Sequence, residues 1–437
     1  MMRTVAVALS LLLLATGPLR AEPKPPEIVT SPGGITAWLI NEPSIPLVSM
    51  RFAFEGGGAL DPAGKEGLAN LASSLLDEGT GELDALAFQT RIEELALRLG
   101  FDADRDRFYG RFSTLTRNLD EGVELLRLAL TAPRFDAEPV ERMRRRMVVK
   151  LTRDLESPDV IAGRHWFREV FGAHPYWHST DGSIEGVEAV RRDDLVRFVA
   201  ERFARDNLRI AVVGDITAAA LGPMLDRVFG ALPARSTAPA VPTPALDFAG
   251  GVEVLYRSTP QSAIFFGLPG LKRDDPDWYV AHLLSTVLGG GTQTSRLHEE
   301  VREQRGLAYS VYSFLQPMDA AGLLLGGAGT RNGKVGETLE VIKSVFTRVR
   351  DDGITEKELA DAQLYINGSF PLQLTSSDSI ARLLLAMQVN DLGPDYVERR
   401  PQIYDRITLE DVHRVARRLL KPELLKVVIV GDPVGIE

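Results

Sequence analysis

The chain has no cysteine in 437 residues. That excludes disulfides, thiol nucleophiles and thiolate metal sites. Histidine is scarce too: His165, His174, His178, His282, His298 and His413 are the only six. Long apolar runs are missing except near the start, where "VAVALSLLLLATG" follows Arg3. That run has the length of a signal-peptide core and ends at "PLRAEPKPP", with cleavage expected after Ala21 despite the bulk of Leu19. A membrane anchor is the alternative reading, but the run is short for a bilayer span. The mature chain is expected to be soluble and exported, to a bacterial periplasm, with no membrane attachment beyond the signal peptide. Positive charge is in deficit: the formal net charge of −10 argues against nucleic acid or an anionic membrane as partner. An exported chain without disulfides relies on its core, and 44% hydrophobic residues over this length suffice for at least two domains.

What is present in quantity is repetition. "DLVRFVAERFARDNLRIAVVGD" starts at Asp194 and "DVHRVARRLLKPELLKVVIVGD" at Asp411, each an amphipathic helix, a short break and a β-branched strand ending in Gly-Asp. "RNLDEG" at 117 is echoed by "RNGKVG" at 331, Ile161-Ala162 by Ile380-Ala381, and "SSLLDEGT" at 73 by "STVLGGGT" at 285. Ordered echoes at a nearly constant offset mean duplication of one domain-sized unit. The Pro- and Ala-rich segment "LPARSTAPAVPTPALDFAGG", residues 232–251, reads as an extended tether. The expected organisation is a signal peptide at 1–21, a first domain at 22–231, the linker, and a second domain at 252–437.

Strands are predicted at "GITAWLI", "LVSMRFAFEGG" and "DRFYGRFSTL", and helices over 64–76, 84–99, 118–131 and 136–155. In the third helix Leu119, Val123, Leu126 and Leu130 share a face, and Pro133 closes it. The fold class is α+β: two homologous domains, each a mostly antiparallel sheet with helices packed on one side.

One helix raises a chemical question. In "GLANLASSLLDEGT", residues 67–80, Leu68, Leu71, Leu75 and Leu76 make an apolar stripe, while Asn70, Ser73 and Ser74 share another face at i, i+3 and i+4. A zinc helix carries two histidines and a glutamate at that spacing; this one carries an amide and two hydroxyls. Together with the two similar halves, "RGLAYSVYS" at 305, "HPYWHSTDGSIEGVEAV" at 174 and "NLRIAVVGD" at 207, the chain resembles the pitrilysin/insulinase-type metallopeptidases over residues 28–435. The resemblance implies a processing-peptidase-like fold. Active members carry H-x-x-E-H, with two zinc-binding histidines, a general-base glutamate and a further glutamate downstream. Carried over, the helix positions fall on Asn70, Ser73 and Ser74, and the downstream glutamate at or beside Lys150. Amide and hydroxyl groups are poor zinc ligands and an ammonium repels a dication. The resemblance therefore implies no metal in this chain.

The second half keeps more. "LGGGTQTSRLHEEVREQRGLAYSVYSF", from residue 288, carries Arg302 and Tyr309 where the family has an arginine and a tyrosine. The resemblance implies that the pair reaches a peptide held at a partner's zinc and donates hydrogen bonds to the scissile carbonyl. Such donors are typically worth about 3 kcal/mol of barrier each. On local pattern alone, Arg302 reads as a helix-surface charge and Tyr309 as a packed strand aromatic. Gly289, Gly290 and Gly291 resemble the family's glycine-rich loop, expected to contact the substrate peptide or to lie at the partner subunit; simple turn geometry is the other reading. No Lys-Ser/Thr follows them, so they are not a P-loop.

The histidines give no obvious metal site. Pro175 interrupts the helix that "HPYWH" would need, "HEEVR" has Arg302 where a second histidine would stand, and "SPDVIAGRHWF" reads as a capped helix start. No nucleophile elbow supports a serine hydrolase. The function implied by the resemblance is a zinc-less subunit of a heteromeric zinc peptidase, partnered by a homologous zinc-binding chain and acting on peptides or unfolded protein bound at a sheet edge. A purely structural or peptide-binding core-type subunit is the alternative. A third reading, an enzyme with an unforeseen metal site, requires stoichiometric metal in the isolated chain.

Overall fold

Alternating apolar residues draw the chain into two sheets. The computed structural model describes residues 25–290 and 293–436, so the expected signal peptide and Gly291 lie outside the described residues. The first sheet contains β1 (Glu27–Thr30), β2 (Thr36–Asn41), β3 (Leu47–Glu55), β4 (Arg98–Ala103), β5 (Arg107–Leu115) and β6 (Leu208–Gly214). Its order is β1-β2-β6-β3-β5-β4, and only β2 and β6 pair in parallel. The second contains β7 (Gly251–Tyr256), β8 (Gln261–Pro269), β9 (Ala308–Pro317), β10 (Gly322–Arg331) and β11 (Lys426–Gly431). Its order, β7-β11-β8-β10-β9, reproduces the first sheet without β1, with β7 and β11 as its parallel pair. The duplication read in the sequence is thus also topological.

In the first half the helices are α1 (Leu68–Ser73), α2 (Ala85–Glu94), α3 (Leu119–Thr131), α4 (Ala137–Asp154), α5 (Pro158–Phe171), α6 (Ile184–Ala189), α7 (Arg192–Arg202) and α8 (Ala218–Phe229). In the second they are α9 (Trp278–Leu288), α10 (Val335–Asp352), α11 (Glu356–Ser369), α12 (Ser377–Val389), α13 (Tyr396–Asp405) and α14 (Leu409–Leu419). Two predicted helices run too long. The one expected over 84–99 stops at Glu94, because Ala96 turns with φ of 47° and the chain enters edge strand β4. The one expected over 64–76 begins only after Gly67, whose φ of 101° admits a left-handed turn that suits glycine.

Each sheet buries one face under its own helices: Met50, Phe52 and Phe54 of β3 meet Leu71 of α1, Leu126 of α3 and Leu225 of α8 in one core. The other face is covered by a helix from the opposite half. Ala381, Leu384 and Leu385 of α12 pack on Ala53, Ala211 and Val213 of the first sheet. Reciprocally, Ala162, Trp166 and Val170 of α5 pack on Leu323, Leu325, Val428 and Val430 of the second. Gly267 makes room there, since a Cβ at that position would lie 2.3 Å from the Trp166 ring. The Ile-Ala echo at 161 and 380 lies on these two crossing helices.

The segment 232–251 has no regular structure before Gly251. It rests on α5, where Asp247 N–H donates to the Val170 carbonyl at 3.0 Å and the Phe248 ring meets the Trp166 edge. A polar seam joins the halves: Asp106 accepts from the Tyr176 hydroxyl and from Asp319 N–H at 3.1 Å, while Arg107 pairs with Asp319 at 2.8 Å. Among the described residues, no helix is long and apolar enough to cross a membrane.

Candidate functional site

Helix α1 is short, and its orientation is fixed from beneath. Asp61 accepts Gly67 N–H at 3.0 Å and Ala69 N–H at 3.2 Å, satisfying donors that the helix start leaves free. Buried Arg202 sits 3.4 Å from Asp61 and also donates to the carbonyls of Gly57 and Leu60. Burial pushes the Asp61 carboxyl up to about 6 against the opposing pull of Arg202. Leu68, Leu71, Leu75 and Leu76 are buried as the stripe requires.

The opposite face of α1 presents Asn70, Ser73 and Ser74 to a cavity of about 600 Å³, with Met143, Met147 and Lys150 of α4 as its other wall. Sequence carry-over placed these positions in one site, and the fold brings them together. Their chemistry is not that of a metal centre. Ser73 Oγ donates to the Asn70 carbonyl at 2.8 Å and Ser74 Oγ to the Leu71 carbonyl at 2.9 Å, so both hydroxyls are spent on their own helix. Asn70 Nδ2 donates to Asp181 Oδ1 at 2.9 Å, and the Lys150 ammonium bonds the other oxygen of the same carboxylate. Lys150 also lies 3.4 Å from Asp154. One fixed cation stands where a dication would need a ligand, and the donor set does not fit zinc. Asp181 was missed by sequence reasoning; its only signal was membership of the "HPYWHSTDGSIEG" segment.

Arg302 and Tyr309 form a separate constellation. Arg302 lies in a π-helical turn, His298–Glu303, and Tyr309 at the start of β9. The guanidinium carbon is 5.3 Å from the centre of the Tyr309 ring, and Arg302 Nη1 donates to His298 Nε2 at 3.0 Å. The packed-aromatic reading of Tyr309 is wrong, because the residue is 81% exposed. The reason is a β-bulge: Gly329 pairs with Ser310 and Thr330 with Ala308, leaving Tyr309 without a partner on β10. Bulges re-aim side chains in this way, and π-turns recur at functional positions. The α1 cavity is lined entirely from the first half, so the structure does not bring Arg302 and Tyr309 into it.

Gly289 and Gly290 cap α9 beside β9. A Cβ on Gly289 would lie 2.5 Å from Ser313 N, so close approach of helix and strand requires glycine there. Both glycines line a cavity of about 380 Å³ together with Tyr312 and Phe314 of β9, two partly exposed stacked rings. His174 and His178 flank a 3₁₀ turn over Pro175–Trp177, as Pro175 implied. His174 accepts Tyr176 N–H at 3.1 Å and lies 2.7 Å from the Pro242 carbonyl through its other nitrogen. The capped start expected at "SPDV" has Ser157 at the cap and Pro158 in the first turn, but the Ser157 side chain makes no capping bond.

Two models of one protein family match the chain in succession. The family described as "Insulinase (Peptidase family M16)" matches residues 36–160, and "Peptidase M16 inactive domain" matches residues 189–365. A non-peptidase homolog, YmxG, of Helicobacter pylori is 29% identical over 75% of this chain and 76% of its own length. An uncharacterized zinc protease of Mycobacterium leprae is 27% identical over 90% of this chain and 88% of its own. Among solved structures, a peptidase M16 inactive domain from Pseudomonas fluorescens superposes with a TM-score of 0.88 at 26% identity, covering 94% of this chain and 99% of that one.

Proposed function

Since the chain belongs to peptidase family M16 as a catalytically inactive member, we propose that it is the zinc-less subunit of a heteromeric zinc peptidase. Its partner is a homologous chain with an intact H-x-x-E-H motif, and this chain supplies Arg302 and Tyr309 to the partner's site. The carrying observation is the contrast within one chain. The zinc positions are dismantled and satisfied internally, while a bulge holds Tyr309 in solvent beside Arg302 with no packing role. In the shared site the guanidinium and phenol donate hydrogen bonds to the scissile carbonyl oxygen as it gains negative charge. Extended peptide or unfolded protein adds to an open sheet edge. Strand β9 has such an edge beside Tyr309, with Tyr312 and Phe314 next along it. Gly289 and Gly290 line the substrate path, and the complex works in the periplasm after export.

The test is reconstitution with an H-x-x-E-H homologue from the same organism. This chain alone is inert toward peptides and the mixture cleaves them. Arg302→Ala and Tyr309→Phe each lower kcat of the mixture about a hundredfold, the equivalent of about 3 kcal/mol. Variants that assemble and leave the rate untouched establish a purely structural subunit instead. Cleavage by this chain alone overturns the proposal.

A further inference from the structure

The crossing helix α5 carries a second unexplained feature, remote from the α1 cavity. His165 and Glu169 stand one turn apart on α5, at the i and i+4 spacing that puts two side chains on one helix face. Glu253 faces them from β7. Its neighbour two places on, Leu255, packs in the same cluster as Trp166 of α5, which fixes the face that Glu253 presents. One ligand atom from each of the three residues lies within 4.8 Å of the others. His165 Nε2 is 2.8 Å from a Glu253 oxygen and 4.0 Å from a Glu169 oxygen.

An ordinary ion pair would aim the ring N–H along one carboxylate. Here His165 Nε2 has no accessible surface and no hydrogen bond, although Glu253 is so near, so the approach is not made along an N–H direction. A solvent-shielded ring nitrogen with carboxylate oxygens at 2.8 and 4.0 Å and no hydrogen bond is a donor set that a divalent cation would satisfy. Zinc bonds of about 2.0–2.2 Å at tetrahedral angles place ligand atoms about 3.4 Å apart. The observed 2.8 and 4.0 Å bracket that spacing. The Lys426 ammonium lies 3.4 Å from Glu169, but from Oε2, the oxygen not turned toward His165. Two carboxylates against one ammonium leave net negative charge for a cation to neutralise.

We infer that His165, Glu169 and Glu253 form a zinc-type divalent cation site that clasps α5, from the first half, to edge strand β7 of the second. Imidazole with carboxylates suits zinc and its transition-metal neighbours, whereas magnesium and calcium take all-oxygen sets. Three protein donors leave one position for water. The ion ties the crossing helix to the strand where the linker ends, so it acts on cohesion of the two halves and lies outside the proposed peptidase site.

The experiment uses the full chain, stripped with chelator and titrated with zinc chloride, with bound metal counted by elemental analysis. One equivalent of zinc binds, magnesium does not, and the melting temperature rises with zinc. His165→Ala and Glu253→Gln each weaken zinc binding at least tenfold. Glu253 is partly exposed on an edge strand, so its variant keeps the fold and melts like wild type without metal. Asp181→Asn, in the α1 cavity, leaves zinc binding unchanged. Absence of uptake by the wild type overturns the inference, and so does uptake that both clasp variants leave intact. Peptidase activity plays no part in this readout, so its failure and that of the proposed function are distinguishable.

Discussion

Lys150 does more in the α1 cavity than fail to bind zinc. Its ammonium holds Asp181, and Asp181 in turn holds Asn70, so a charge-balanced network spans the gap between α4 and α1. The Lys150–Asp181 pair is partly exposed and contributes roughly 0.2–1 kcal/mol to stability, too little to explain the fold. Its larger consequence is electrostatic, because any dication entering the cavity meets a fixed positive charge. Restoring the helix ligands alone is therefore insufficient. The variant Asn70→His, Ser73→Glu, Ser74→His is expected to bind zinc at least tenfold more weakly than the same variant with Lys150→Glu added. That factor equals about 1.4 kcal/mol, less than the repulsion removed and the carboxylate gained. Measuring both in a Glu253→Gln background makes metal uptake report on the α1 cavity alone. Equal affinities would mean that Asp181 already screens Lys150 and that the lost imidazoles are the whole defect.

At the scale of elements, the duplication sets α9 against α1, and the echo of "SSLLDEGT" by "STVLGGGT" aligns Asn70 with His282. The histidine is half-buried at the wall of the cavity of about 380 Å³, with the Tyr404 hydroxyl 3.0 Å from its Nδ1. Burial, then the nearby charges of Arg400 and Arg273, lowers its pKa to about 4 from 6.5. Since the folded value lies below the unfolded one, the unfolded chain takes up the proton first as pH falls. Stability present above pH 6.5 is lost progressively down to pH 4, by up to about 3 kcal/mol from this group. Denaturant unfolding of His282→Asn is expected to show a smaller destabilisation at pH 4.5 than at pH 7, because the variant has nothing there to protonate. An identical difference at both pH values would show that the imidazole is already charged in the fold.

The same elements show what a sequence makes legible. The strand-ending Gly-Asp echoes, the helix starts near 85, 119 and 137, and the shared face of Asn70, Ser73 and Ser74 follow from local periodicity and a fixed offset. Strand β4 was not predicted, and its first two residues fell in the helix expected over 84–99, because "RLGFDA" is a short edge strand with no clean alternation. The bulge at Tyr309 and the π-turn at Arg302 depend on register against β10 and on one extra residue per turn, neither of which leaves a compositional mark. Asp181 and Glu253 acquire meaning through partners on other elements, Asn70 of α1 and Lys150 of α4 for the first and His165 of α5 for the second. Chemistry at conserved spacing was readable, and chemistry assembled across elements was not.

For the whole molecule, the reciprocal crossing of α5 and α12 decides how the two halves depend on each other. Either half alone would keep its own helices on one face of its sheet and leave the other face bare. Residues 25–231 would expose Ala53, Ala211 and Val213 together with the apolar side of α5, including Trp166. Residues 252–436 would expose Leu323, Leu325, Val428 and Val430 and the apolar side of α12. A contiguous apolar face of that kind invites association or collapse. The peptide link between the halves, in contrast, has no regular structure and can be cut where it lies on the surface. Separately expressed halves, divided near residue 240, are expected to aggregate or to bind a hydrophobic dye without a cooperative melt. Co-expressed, they should copurify as a 1:1 complex, because α5 and α12 then each find their sheet and the seam of Asp106, Tyr176 and Asp319 closes. Zinc added to that complex should raise its melting temperature, since the clasp has one side on each fragment. A half that melts cooperatively as a soluble monomer would show that the crossing helices are accessory and that each domain is stable without the other.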